Sequence, residues 1–199
     1  MTSILKADTI QDTDGNNIIN ENSNTITIGA SGDTTNIIGT LQNNGAAVGG
    51  TNTPAFLAYA GSDQTVGHES WTKVTLGTEL FDTDSAFGSN KFTVPSGEGG
   101  KYWFNGCVNA YAGANNLKRI LMRLYKNGSG FAFLSSNDWN NQAYRDQETA
   151  TGSTIIDLSA GDYIELYIWF SHASSGNTTI IGTSATEFLT KLSGYKIIE

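Results

Sequence analysis

The chain has 199 residues, of which 15% are charged, and its formal net charge is −8. The acidic balance and the lack of a basic stripe argue against binding along a nucleic-acid backbone, and the single cysteine excludes an intramolecular disulfide and a cysteine-based zinc site. No charged-then-apolar leader and no run of about 20 apolar residues occurs, so we expect a protein made in a cytoplasm, without a signal peptide or membrane insertion.

Aromatic residues divide the chain into two parts. The sequence holds nine Phe, eight Tyr and four Trp, and none of them precedes residue 54. Aromatic side chains dominate the area that a core buries, at roughly 150–250 Å² each, and a segment without them cannot easily offset its ordering entropy. We therefore predict that residues 1–53 are disordered or ordered by other chains. Residues 54–199 are predicted to form a domain with its own core, the head.

Residues 1–44 predict an extended, β-rich shaft. Isolated β-branched residues recur every eight to eleven positions between Asn- and Gly-rich turns, and residues 24–29 and 35–39 are near-copies. Such a strip buries little apolar surface alone, which favours short strands that wind around an axis against identical neighbours. A disordered polar linker is the alternative. The Gly-rich residues 45–53 predict a linker between the shaft and the head.

The clearest strand of the head is expected at residues 163–170. These residues alternate between an aliphatic face, which belongs in a core, and an aromatic face with a polar edge. An aromatic face of this kind is typical of a surface that meets another protein. Tyr163, Tyr167 and Trp169 are therefore our candidates for a subunit interface, although a half-covered sheet would look similar.

Two further strands and their connections follow from local patterns. Residues 118–126 alternate and run into Asn127-Gly128, the dipeptide that suits a tight hairpin turn, with residues 131–134 as the return strand. Residues 101–111 predict another strand, in which the dipeptide Asn105-Gly106 indicates a bulge. No window shows a helical stripe of apolar residues, so we expect an antiparallel β domain. Long loops are expected at residues 112–116, 135–147 and 171–179.

Four stretches of the head follow one another in a familiar order: residues 91–104, 124–128, 158–166 and 186–197. The third reads Leu-Ser-Ala-Gly-Asp-Tyr-Ile-Glu-Leu, which fits the pattern Leu-x-x-Gly-Asp-x-Ile/Val-x-Leu. Together these stretches resemble the C1q-like family, the jelly roll shared by complement globular heads and tumour-necrosis-factor ligands. The resemblance implies an all-β, antiparallel jelly-roll head and a homotrimer. Phe92 and Phe104 would occupy inward positions of two strands joined by a Gly-rich loop.

Residues 5–18, Leu-Lys-Ala-Asp-Thr-Ile-Gln-Asp-Thr-Asp-Gly-Asn-Asn-Ile, are similar to the N-termini of virion proteins from tailed bacteriophages, where they precede trimeric β-shafts. A shaft followed by a C1q-like head is typical of phage fibres. The resemblance implies a virion protein whose residues 1–44 dock on other virion proteins and whose head attaches to a glycan or protein receptor on the host surface. The alternative is a capsid decoration or tail-assembly protein that stabilises the particle without receptor binding.

No catalytic motif is present, so we expect neither an enzyme nor a cofactor. His68 and His172 lie in no recognisable nucleophile or metal motif. Asp82 and Asp84 offer a carboxylate pair for a glycan-cleaving spike, a third hypothesis, but two acids at this spacing in a loop are more often turn formers. No complete Ca²⁺ site is visible in the sequence.

Residues 135–144 place two aromatic rings among amide side chains, a combination that suits a carbohydrate. The candidate ligand-binding residues are Trp139, Asn140, Asn141 and Tyr144. The alternative is that Trp139 packs in the core or in a trimer contact. A basic cluster on the neighbouring strand is more often a solvated face than an anion site. This cluster comprises Lys118, Arg119, Arg123 and Lys126.

Overall fold

The computed structural model describes residues 38–39, 41–43, 46–47, 52–183 and 187–197. The chain divides into two units, Met1–Gly49 and Gly50–Glu199. In the first unit, strands β1 (Gln42–Asn43) and β2 (Ala46–Ala47) pair antiparallel. The predicted shaft strands before residue 38 lie outside the described residues.

The second unit is built from strands, and its described part contains no helix. In chain order the strands are β3 (Ala55–Tyr59), β4 (Gln64–Val66), β5 (Thr72–Lys73), β6 (Thr78–Asp82), β7 (Phe87–Gly88), β8 (Lys91–Thr93), β9 (Gly100–Tyr111), β10 (Leu117–Lys126), β11 (Ser129–Asp138), β12 (Gln147–Leu158), β13 (Tyr163–His172), β14 (Thr178–Ile180) and β15 (Lys191–Lys196). No helix capable of spanning a membrane therefore occurs among the residues described.

The strands form two sheets in which neighbouring strands are antiparallel. The six-stranded sheet has the order β11-β10-β13-β8-β7, with β5 also beside β13. The seven-stranded sheet has the order β4-β14-β9-β15-β3-β6, with β12 also beside β9. One continuous hydrophobic core draws its side chains from both sheets. The predicted all-β, antiparallel head is confirmed.

Three phenylalanine rings pack against one another in the core, one pair stacked and one pair edge-to-face. Phe56 of β3 lies 4.9 Å from Phe92 of β8, and Phe92 lies 5.7 Å from Phe104 of β9, measured between ring centroids. All three side chains are buried. The predicted inward positions of Phe92 and Phe104 are thus confirmed, and each buried ring contributes roughly 1.5–3 kcal/mol to folding.

The alternation predicted for residues 163–170 is present in β13, whose aliphatic face is completely buried. The hairpin between β10 and β11 also forms as predicted. Asn127 has a φ of 52° and Gly128 a φ of 77°, the two positive values that this turn requires.

The predicted bulge at Gly106 is wrong. Strand β9 pairs with β12 and with β15 in unbroken register through this position. A Cβ atom at Gly106 would lie 2.8 Å from Leu134 Cδ1 and 3.1 Å from Leu166 Cδ1, both on the opposite sheet. The glycine is therefore explained by close packing of the two sheets, which a sequence pattern along one strand does not reveal.

Two predicted loops are shorter than expected. Strand β11 continues to Asp138, which pairs with Arg119, so the loop begins at Trp139. Strand β13 continues to His172, and β14 begins at Thr178. Both extensions consist of polar residues at the ends of strands, where composition alone looks like that of a loop.

Candidate functional site

The first predicted site lies in the loop between β11 and β12. Trp139 is only 8% exposed and belongs to the hydrophobic core, and its backbone N–H donates to the carbonyl oxygen of Lys118 at 2.8 Å. The Arg145 guanidinium covers the ring at 6.0 Å from its centroid. This geometry favours the alternative in which Trp139 packs in the core, because little of its ring is open to stack on a sugar.

The other members of this predicted site differ in exposure. Asn140 and Asn141 are exposed, while Tyr144 is half-buried and packs against the core. Lys118 Nζ lies 5.9 Å from the centroid of the Tyr144 ring. The loop therefore presents two amides to solvent beside rings that largely support the core. Carbohydrate binding by these four residues stays a prediction.

The predicted interface residues lie on the outer face of the six-stranded sheet, where each is half-buried by its own chain. The Tyr125 ring stacks on Tyr167 with centroids 3.7 Å apart. Lys91 Nζ lies 4.4 Å from the Tyr163 ring centroid, and Arg119 Cζ lies 5.9 Å from that of Trp169. A role of these residues in a trimer interface also stays a prediction.

Tyr167 and Glu165 share the middle of this face. The Glu165 carboxylate is bound by Lys73 Nζ at 2.7 Å and is itself largely buried. Burial raises the pKa of the Tyr167 phenol, and the negative charge of Glu165 raises it further.

Beside Tyr167, four side chains form what we call the Arg123 cluster: Arg123, Trp71, Tyr125 and Phe133. The Arg123 guanidinium carbon lies 5.2, 5.1 and 5.0 Å from the ring centroids of Trp71, Tyr125 and Phe133, respectively. Phe133 is 60% exposed. The cluster was only partly visible in the sequence, where Arg123 stood out as a base but Trp71, which is 52 positions away, did not.

The seven-stranded sheet carries a second apolar outer face. Ile155 pairs with Trp103, Trp103 pairs with Tyr195, and the last two rings have centroids 5.3 Å apart. In the adjacent row Leu57 pairs with Phe81. Ile155 is 57% exposed and Phe81 46%. Sequence reasoning missed this face because its members come from five separate strands.

The candidate catalytic groups serve local structure instead. Both carboxylate oxygens of Asp82 accept backbone N–H groups, from Ala86 at 3.0 Å and from Phe87 at 2.8 Å. His172 is buried, and its Nδ1 accepts the N–H groups of Ser174 and Gly176, both at 3.2 Å. Among the described residues no group of three His, Cys, Asp or Glu side chains could hold a metal ion.

An open depression of about 420 Å³ lies beside the Asp82 turn, lined by residues 84–89 and 93–95. Asp84 is its only ionisable lining residue, and the Asp84 carboxylate accepts a hydrogen bond from Thr83 Oγ1 at 2.5 Å. The depression thus presents one of the two carboxyl groups that glycoside hydrolysis uses, and the glycan-cleaving hypothesis stays a prediction.

Comparisons with known proteins agree with this architecture. The globular domain of zebrafish complement 1qA protein is similar with a TM-score of 0.48 and 16% identity, over 74% of this chain and 99% of that one. The structure of Eiger TNF from S. frugiperda is similar with a TM-score of 0.52 and 11% identity, over 73% of this chain and 92% of that one. No protein-family model and no curated protein matches the chain. The head therefore has an antiparallel jelly-roll fold of the kind seen in this TNF structure.

Proposed function

We propose that the protein is a fibre-type structural protein of a tailed-bacteriophage virion. Residues 1–44 dock on the particle, and a trimeric jelly-roll head attaches to the host surface. The proposal is carried by one observation, a jelly-roll head with its own core joined to a segment without aromatic residues. In that segment Ile38 is 94% exposed, and neighbouring chains of a shaft would remove it from water.

The outer face of the seven-stranded sheet supports contact between three heads better than the predicted residues do. Its two central rows contain no charged side chain, as expected at the core of an interface. These rows are Ile155, Trp103, Tyr195 and Ala55, and Ser153, Asn105, Ser193, Leu57 and Phe81. By contrast, Tyr163, Tyr167 and Trp169 share their face with charged side chains, namely those of Lys91, Glu165 and Arg119.

Adhesion by such a protein works through avidity. Three weak sites on each fibre, and many fibres on each particle, bind together and raise the overall affinity by roughly 10²–10⁴-fold over one site. No single head then needs a deep pocket, which fits the shallow surfaces described above.

Removal of residues 1–53 tests the docking role. The remaining head keeps its core, so we expect a soluble protein that no longer incorporates into particles. Incorporation of the truncated protein at the normal level would contradict the proposal.

The second candidate function is capsid decoration or tail assembly without receptor binding, which the same two-part organisation of the chain supports. A competition experiment with free protein distinguishes host attachment from this second function. Excess free trimer is expected to reduce infection if the head attaches to the host, and to leave infection unchanged if the head only stabilises the particle.

A further inference from the structure

Arg123 carries a positive charge without an acidic partner among the residues that the structure describes. Two other cations of the six-stranded sheet do have such a partner, since Arg119 pairs with Asp138 and Lys126 pairs with Asp162. Lys91 and Lys118 each lie near one ring, whereas the Arg123 guanidinium lies among three aromatic rings. In a chain of net charge −8, a cation left without a carboxylate on an exposed sheet face is complementary to an external anion.

The surroundings hold the guanidinium in place. Three rings surround it, and Gly130 lies beneath it, where a Cβ atom would overlap the Arg123 Nη2 atom. Of the guanidinium nitrogens only Nε is both sealed from solvent and without a hydrogen-bond partner. The two terminal nitrogens remain available, and a fixed planar fork of this kind matches a carboxylate.

Exposed rings lie on the neighbouring strand. Phe133 is 60% exposed and Phe131 is 57% exposed, and both belong to edge strand β11. Phe131 is the extra residue of a bulge, because Ala132 pairs with Leu124 and Gly130 pairs with Tyr125. A bulge redirects a side chain, and here the Phe131 ring lies 6.0 Å from Lys126 Nζ, outside the Arg123 cluster. Phe133 is therefore the exposed ring of the cluster itself.

We propose that the Arg123 cluster binds a carboxylated sugar of an acidic polysaccharide. The sugar carboxylate pairs with the terminal nitrogens of Arg123, and its C–H face packs on the exposed ring of Phe133. The proposal rests on the proposed function in that it names the ligand class of the same head.

A sugar acid fits the surface better than an acidic peptide does. One rigid ring carries both the planar anion and the apolar face, so little conformational entropy is lost on binding to an open, pre-arranged site. A flexible acidic peptide must be ordered at that moment, and the Arg123 cluster offers it one cation.

Binding of defined oligosaccharides to the full-length protein tests the proposal by titration calorimetry. The probes are tetrasaccharides of galacturonic, mannuronic and guluronic acid, their carboxyl-reduced neutral counterparts, and hexaglutamate. We expect at least one acidic tetrasaccharide to bind at least ten times more tightly than its neutral counterpart, and more weakly as salt rises. Binding of none of the three, or equal binding of hexaglutamate, would overturn the assignment.

Variants locate the site on the protein. Arg123→Gln and Phe133→Leu are each expected to weaken binding of the acidic tetrasaccharide at least tenfold, and Arg123→Lys to weaken it less than Arg123→Gln does. Lys196→Gln is the matched control, because it removes a positive charge on the other sheet and should leave binding unchanged. Equal loss in Lys196→Gln, or full binding by Arg123→Gln, contradicts the site. Thermal melting confirms that each variant is folded.

The same samples separate the two proposals. If free trimer competes with infection while no acidic tetrasaccharide binds, attachment stands and the sugar-acid site is wrong. If the sugar binds through Arg123 but free trimer does not compete, the site stands and host attachment by the head is wrong.

Discussion

At the scale of single residues, the side chain of Asp162 contacts two turns at once. Its carboxylate accepts hydrogen bonds from Asn127 Nδ2 at 2.7 Å and from the Ser159 backbone N–H at 2.9 Å, and Lys126 Nζ lies 2.7 Å away. The hydrogen bonds, first of all that from Lys126, lower the pKa of Asp162 from 3.8 to about 2. The ionised carboxylate therefore stabilises the turn between β12 and β13 and the turn between β10 and β11.

The substitution Asp162→Asn tests this linkage. A depressed folded-state pKa contributes stability that is fully present above 3.8 and is lost as the pH falls towards about 2. We expect the variant to melt at a lower temperature at pH 7 and to lose part of the acid sensitivity in that window. Melting curves between pH 7 and pH 2 measure both effects. Glu79→Gln, at an exposed carboxylate of β6, is the control, and an equal change there would contradict the account.

Gly152 lies where the main chains of two strands, β12 and β11, come so close that no side chain fits between them. A Cβ atom at this position would overlap the Leu134 carbonyl oxygen, which is backbone and cannot move aside easily. Gly152→Ala is expected to destabilise the head by about 1–3 kcal/mol, measured by chemical unfolding. At Gly88, also in a strand, a Cβ atom would meet nothing within 4 Å, so Gly88→Ala should be close to neutral. Similar losses in both variants would show that strand glycines matter for another reason.

For some single residues the structural role could be predicted from the sequence, and for others it could not. The inward positions of Phe92 and Phe104 followed from the stretches that resemble the C1q-like family, which place the two residues in strands joined by a Gly-rich loop. The role of Gly106 did not follow, since it depends on Leu134 and Leu166 of the opposite sheet. Trp139 was ambiguous for the same reason, because a ring among amides can suit either a ligand or a core.

At the scale of elements, the hairpin between β10 and β11 depends on Asn127 for both its backbone and its side chain. Its φ is 52°, its Nδ2 donates to Asp162, and its Oδ1 accepts the Tyr163 backbone N–H at 2.9 Å. The turn thereby connects the hairpin to β13, which carries the aromatic outer face.

Two substitutions separate these contributions. Asn127→Ala loses the hydrogen bonds and strains the positive φ, so we expect about 2–3 kcal/mol of destabilisation. Asn127→Gly loses the hydrogen bonds but tolerates the φ, so about 1–2 kcal/mol is expected. Urea unfolding measures both. A glycine variant no more stable than the alanine variant would contradict the conformational part of the argument.

Element ends were harder to predict than element centres. The alternation of β13 and the dipeptide at the hairpin turn are local signals, and both led to the right structure. The last four residues of β11, Ser-Ser-Asn-Asp, look like a loop in composition. They continue the strand because β10 lies beside them to complete their hydrogen bonds.

At the scale of the whole molecule, the two outer faces lead to opposite expectations for assembly. Ile155→Asp places a charge in the uncharged rows of the seven-stranded sheet, and we expect the proposed trimer to dissociate because each of its three proposed interfaces would bury that charge. Phe133→Asp places the same charge on the six-stranded sheet and should leave the trimer intact. Sedimentation velocity measures the assembly state of each variant, and the reverse pattern would return the interface to the predicted residues Tyr163, Tyr167 and Trp169.

The jelly-roll architecture itself followed from the order of four short stretches, which set turns and inward positions along the head. The composition of the two outer sheet faces could not be predicted from the sequence in the same way. The Arg123 cluster and the uncharged rows of the seven-stranded sheet join residues from different strands, and which strands are neighbours is known only once the sheets are assembled. The predicted shaft before residue 38 lies outside the described residues, so its strands stay a prediction.

Molar mass in solution tests the central claim, a head that functions as a trimer, most directly. Light scattering on the purified full-length chain is expected to give three times the 21.2 kDa of one chain, and to keep that value on dilution through the micromolar range. A mass of 21.2 kDa would contradict the trimer, and with it both the interface on the seven-stranded sheet and the avidity on which the proposed attachment depends.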